Sequence, residues 1–152
     1  MTEIEEIEKS MMDDTCERAF LFSPGGNLIL PERKDCSGKS QVRFSEEELR
    51  LFEGNLLIHS HDNRYGARTF TERDIDLFFR HKLGEIRMVR GNIVKSLVHV
   101  DDGNCNHSCI LVRLAEFGGL RKGDHESNIE EFLEELLRGN PCLSCTERTL
   151  DP

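Results

Sequence analysis

No stretch of this sequence is apolar for long enough to cross a membrane, and none has the short apolar core of an export signal. The chain opens instead on an acidic run from Thr2 to Glu8, the opposite of a cationic export region, so the expected compartment is the cytoplasm. Positive charge is also scarce. Lys and Arg number 20 against 29 Asp and Glu, a net charge of −9, which argues against a nucleic-acid backbone as the main partner. Arg64, Arg68 and Arg73 are the local exception. A phosphate-binding loop is missing too: Gly25-Gly26 and Gly118-Gly119 have neither the strand-loop-helix setting nor the lysine it requires. There is no Gly-x-Ser-x-Gly elbow for a nucleophilic serine, no internal repeat, and no biased segment beyond the acidic start.

What remains is a soluble globular composition, 37% hydrophobic and 32% charged over 152 residues, enough for one domain with a real core and a small appendage. The first fifteen residues read as an acidic lead-in, with Ile4 and Ile7 three apart on one edge of a short helix. Two apolar runs, Ala19 to Phe22 and Leu28 to Leu30, flank Pro24-Gly-Gly-Asn27 and predict a β-hairpin. Ser45 with Glu48 forms a capping-box pattern ahead of a helix of about two turns that stops at Gly54. Ile75, Phe78 and Phe79 are spaced for a helix packed on a sheet and ended by Gly84. Glu85 to Val89 and Ile93 to Val100 alternate around Gly91-Asn92, a second hairpin. His81 and His99 are read as structural.

The chemistry concentrates after Leu56. An apolar run, Leu56 to Ile58, leads into His59-Ser60-His61. Residues two apart in a strand point to the same side, so His59 and His61 can converge on one ion. A polar loop follows, then the helix start Thr71-Glu-Arg-Asp74. From the first turn of that helix Asp74 can fold back as a third, oxygen ligand. Two imidazoles and one carboxylate leave a fourth tetrahedral position for water, the composition of a hydrolytic zinc site. Thr71 and Asp74 also match an N-cap with a carboxylate at the third helical position, which competes for the same side chain.

A second candidate lies in the last third. Cys105-x3-Cys109 and Cys142-x2-Cys145 each have chelating spacing, and the intervening helix can bring them together as a structural zinc site of four thiolates, with His107 able to replace one. That helix is signalled by the Ser127-x-x-Glu130 capping box and the stripe Ile129, Phe132, Leu133, Leu136 and Leu137. A redox Cys-x-x-Cys, disulfides and buried thiols are the rival readings, disulfides fitting poorly with a chain that shows no export signal. Cys16 and Cys36 are expected to be unpaired.

The order strand, His59-x-His61, loop, Thr71-x-x-Asp74 resembles the JAB/MPN (JAMM) metalloprotease-like superfamily, in particular its divergent prokaryotic, viral and RadC-like members. Their pattern is a glutamate, then His-x-His, then Ser-x-x-Asp. Asp62 stands where that pattern has proline, and Thr71 where it has serine. The resemblance covers roughly 16–100, between the 1–15 lead-in and a 101–152 extension carrying the paired cysteines. It implies zinc on His59, His61 and Asp74, a general base at Glu17, and a hydroxyl at Thr71 that supports an oxyanion or bound water. The implied fold is α/β, a mixed deaminase-like sheet with flanking helices, plus a small cysteine-bearing helical extension. The implied function is zinc-dependent hydrolysis of peptide or isopeptide amides in a protein or peptide substrate. A catalytically inactive protein-binding module with a structural zinc, and a metal-dependent nuclease, are the alternatives.

Overall fold

Eleven elements make up the computed structural model, which describes residues 2–37, 42–100, 107–119 and 125–151. Helix α1 (Glu3–Ser10) leads into the hairpin β1 (Glu17–Phe22) and β2 (Leu28–Asp35), turned through Ser23 to Asn27 with Gly26 at φ +86°. The short α2 (Glu46–Leu49) precedes β3 (Leu56–Ser60), α3 (Glu72–Arg80) and the hairpin β4 (Glu85–Arg90) and β5 (Ile93–His99). Helices α4 (His107–Gly119) and α5 (His125–Gly139) then lead to β6 (Leu143–Thr149).

The six strands form one mixed sheet in the order β2-β1-β3-β4-β5-β6. Only β3 and β4 run parallel, which is why the helix α3 must cross between them; the other pairs are antiparallel. Both faces are covered, so β1 and β3 are buried almost throughout. On one face Ala19, Leu21, Leu57, Ile86, Met88 and Leu97 pack with Ile75, Phe78 and Phe79 of α3 and with the buried stripes of α4 and α5. On the other, Phe20, Phe22, Ile58, Val89 and Val94 meet Met11 and the Ile4 and Ile7 edge of α1. Each large side chain buried this way stabilises the fold by roughly 1.5–3 kcal/mol. The buried Glu8 carboxylate anchors α1 between Arg87 (3.4 Å) and Arg148.

The structure departs from the sequence reading in six places. The C-terminal residues are not a helical extension alone, because β6 pairs with β5 in the same sheet, Leu97 facing Cys145 and His99 facing Leu143. Helix α5 starts at His125, ahead of the expected cap at Ser127, and Gly118-Gly119 closes α4 where a turn was expected. Helix α2 is a single turn. Helix α3 is ended by Lys82, which takes the left-handed φ of 53°, while Gly84 answers a different need: a Cβ there would lie 2.8 Å from the Gly54 carbonyl oxygen. Cys16 and Cys36, expected to be unpaired, form a disulfide, because Glu17 pairs with Asp35 and the next residues outward on the two strands are thereby brought opposite one another.

Candidate metal centre

Strand β3 ends where α3 begins its return, and the three expected ligands meet there. His59 leaves the sheet on the face that carries Leu57, and His61 follows on the same side, held in strand geometry by its N–H donating to the Val89 carbonyl at 2.9 Å. Asp74 comes from the first turn of α3. All three side chains are buried, at 2%, 6% and 4% exposure, and their ligand atoms form the one group among the described residues that can hold a metal ion. The two imidazole Nε2 atoms lie 3.1 Å apart; His59 Nε2 is 3.1 Å from Asp74 Oδ1, and His61 Nε2 is 3.2 Å from Asp74 Oδ2.

The competition between capping and ligation for Asp74 resolves in the geometry. Its backbone N–H donates to Thr71 Oγ1 at 3.2 Å, and the Thr71 N–H donates back to Asp74 Oδ2 at 2.9 Å, a complete capping box. That box holds the carboxylate in place while both oxygens still face the histidines. Accepting one bond leaves the Thr71 hydroxyl hydrogen unspent.

Protons decide whether this cluster fits a cation. His61 Nδ1 lies 2.7 Å from the carbonyl oxygen of Ala67, an acceptor, so Nδ1 carries the hydrogen. In the neutral ring Nε2 then holds a lone pair, aimed at a carboxylate oxygen and at the Nε2 of His59. Three electron-rich atoms so close repel one another unless a proton or a metal ion stands among them. The protein alone can supply only the proton. Burial works against a charged His61, yet the hydrogen bond and negative charge of Asp74 outweigh it and raise its pKa. Burial likewise opposes the charge on Asp74, and the charges and hydrogen bonds of His59 and His61 overcome it, holding its carboxyl well below the usual range. A dication satisfies all three atoms at once. One ligand atom from each of the three residues lies within 4.8 Å of the other two, the spacing of donors gathered around a single ion. The donor set therefore fits a small divalent ion.

Glu17, at the start of β1, is the buried carboxylate beside this cluster. Ala19 pairs with His59 across β1 and β3, so Glu17, two residues earlier, lies on the same face of the sheet as the histidines. Burial pushes its pKa up, the neighbouring Asp74 charge adds to that, and His59, His61 and Arg73 oppose it. Arg73 Nη1 stands 3.8 Å from Glu17 Oε1, and the other arm of its guanidinium donates to the Val42 carbonyl.

The loop after His61 is built to keep Ala67 in reach. Asp62 accepts from the Arg64 N–H at 2.8 Å, and its carbonyl accepts from the Gly66 N–H at 2.8 Å. Only glycine fits at 66, because a Cβ there would lie 2.7 Å from the Asp62 nitrogen and oxygen and 3.0 Å from His61 Cβ. Neither Ala67, which acts through its backbone, nor the packing need at Gly66 leaves a side-chain signal in the sequence.

The chain matches none of the known family models, curated proteins or solved structures. Its reading therefore rests on its own residues.

The paired cysteines do not form a second cluster among the described residues. Cys105 lies outside them. Cys109 is exposed on α4, Cys142 is buried and disulfide-bonded, and Cys145 is a half-buried thiol on β6 whose pKa is raised by burial. A disulfide removes Cys142 as a thiolate ligand.

Proposed function

We propose that this chain is a zinc-dependent hydrolase of peptide or isopeptide amide bonds, built on a JAMM-like site. The observation that carries the proposal is the convergence of His59 Nε2, His61 Nε2 and Asp74, with the far nitrogen of His61, Nδ1, donating its hydrogen to the Ala67 carbonyl. The ion would be held by those three side chains, and two imidazoles with one carboxylate suit zinc. When bound, it supplies Lewis acidity at the one open position of a three-ligand site.

The rest falls to the chain itself. Glu17 accepts a proton from water on its carboxylate and returns it to the leaving amine nitrogen. Its raised pKa makes it a stronger base than an exposed carboxylate. Thr71 donates its remaining hydroxyl hydrogen toward the developing oxyanion, and the N-terminus of α3 adds favourable dipole there. One observation favours a second reading, a catalytically silent protein-binding module: Arg73 beside Glu17 stabilises the carboxylate and weakens it as a base.

Elemental analysis joined to cleavage of an internally quenched peptide library tests the choice. The amide-hydrolase reading expects one zinc per chain lost in His59→Ala, peptide cleavage by the wild type, and a Glu17→Gln variant that keeps zinc and loses cleavage. Bound zinc with no cleavage by the wild type selects the binding module. A wild type that binds no divalent metal overturns both.

A further inference from the structure

The register of β1 against β3 ends at Ala19 opposite His59, one residue short of the stretch that carries Glu17. The residues that place this carboxylate are thus outside that ladder. Beside their pairing with Asp35 and Lys34 of β2, two bonds to β3 hold them. The Arg18 N–H donates to Ser60 Oγ at 3.0 Å, and the Ser60 hydroxyl donates to the Cys16 carbonyl at 3.2 Å. A single hydroxyl therefore spans the backbone on both sides of Glu17. Ser60 is the residue between the two histidines and is fully buried, so the same strand tip that presents His59 and His61 on one face fastens the Glu17 segment with its intervening residue. On the other side of β1, the Cys16–Cys36 disulfide closes the end of the pairing with β2, immediately beyond Glu17 and Asp35.

We infer that Ser60 and the Cys16–Cys36 disulfide are positioning elements for Glu17, fixing its backbone from two sides so that its carboxylate stays against the His59, His61 and Asp74 cluster. The inference rests on Glu17 acting as the base in the proposed reaction. Neither element contacts the cluster through its side chain in the hydrogen bonds described above, so their loss loosens the Glu17 segment, which stays paired with β2, without removing a ligand. Ser60→Ala changes little volume and leaves the Arg18 N–H and the Cys16 carbonyl without their partner.

The test compares wild type, Ser60→Ala, Ser60→Thr and Cys16→Ser/Cys36→Ser by zinc content, by hydrogen exchange at the Arg18 amide, and by kinetics on a peptide that the wild type cleaves. Ser60→Ala should keep full zinc, exchange the Arg18 amide about tenfold faster, the factor that loss of one well-placed hydrogen bond carries, and lose kcat with KM unchanged. Ser60→Thr should restore both, and the double serine variant should show the same pattern as Ser60→Ala. Unchanged exchange at Arg18, or unchanged kcat, in Ser60→Ala overturns the inference. If the wild type binds no zinc or cleaves no peptide, the proposed function fails, and the Arg18 exchange still decides whether Ser60 holds this segment.

Discussion

Zinc should stabilise this protein strongly, and Asp74→Asn should remove most of that effect. The metal-free cluster pairs a lone pair on His61 Nε2 with a carboxylate oxygen 3.2 Å away, a contact that only a proton or an ion makes favourable. An ion that binds only the folded chain adds RT ln(1 + [L]/Kd), about 4 kcal/mol at a free concentration a thousand times Kd. For a chain of 152 residues, each kcal/mol moves Tm by about 2–4 °C, so the expected rise is about 8–16 °C. Asn at 74 keeps the shape and the Thr71 capping contact but removes the anionic oxygen. Losing a direct ligand should weaken zinc by at least about a hundredfold, the upper range for losing a supporting partner. At the same zinc concentration the stabilisation then falls to about 1.4 kcal/mol or less, a Tm rise of no more than about 3–6 °C. Differential scanning fluorimetry across a zinc titration, with a chelator as baseline, reads both numbers. A wild-type rise below about 2 °C, or equal rises in the two proteins, would refute the assignment of these three residues as a metal site.

Gly66→Ala should lower both stability and zinc affinity, since its Cβ would press on the Asp62 backbone and His61 Cβ; overpacking of this kind costs about 1–3 kcal/mol in urea denaturation, and an unchanged midpoint would show that the loop has slack. Lys82→Gly should do the opposite. A non-glycine residue in the left-handed region costs about 1–2 kcal/mol, and glycine's greater unfolded-state freedom takes back about 0.5–1 kcal/mol, so a net gain of up to about 1.5 kcal/mol is expected in the same assay. The Cys145 thiol is pushed up chiefly by burial, with Glu147 adding and Lys95 opposing; because the thiolate is the reactive form, its alkylation rate should climb at a higher pH than that of an unhindered cysteine, and an ordinary profile would contradict its burial beside β5. Phe78→Ala should destabilise by about 3–5 kcal/mol by leaving a cavity under α3, beside the stacked His99 ring 4.3 Å away; a loss below 1 kcal/mol would mean that α3 is not packed as described.

The parts that were legible in the sequence share a property: their signal is local. Ala19 to Phe22 and Leu28 to Leu30 alternate or run apolar around a glycine turn, and they pair as β1 and β2. Thr71 to Asp74 spells a cap, and the cap is there with both of its bonds. The strand tip needed only period two to place His59 and His61 together, and Asp74 needed only the length of one loop and one turn. What escaped was decided by distant partners. Leu143 to Thr149 is polar on most positions and reads as a tail, but an edge strand needs few apolar residues when its backbone can pair with β5, and of this strand Leu143 and Cys145 join the core under the helices. The C-terminal cysteines had chelating spacing, yet spacing says nothing of whether Cys142 is already committed to another sulfur. Cys16 and Cys36 had no recognisable spacing at all; they meet because the hairpin register brings the residues beyond Glu17 and Asp35 face to face. The same distinction runs through the site. Its candidate ligands are side chains and could be found by type and interval, whereas the Ala67 carbonyl that fixes the His61 proton is a backbone atom, and the Ser60 hydroxyl ties down the backbone of Cys16 and Arg18, more than forty residues earlier. A site of this kind announces its candidate ligands in the sequence and conceals the framework that orients them.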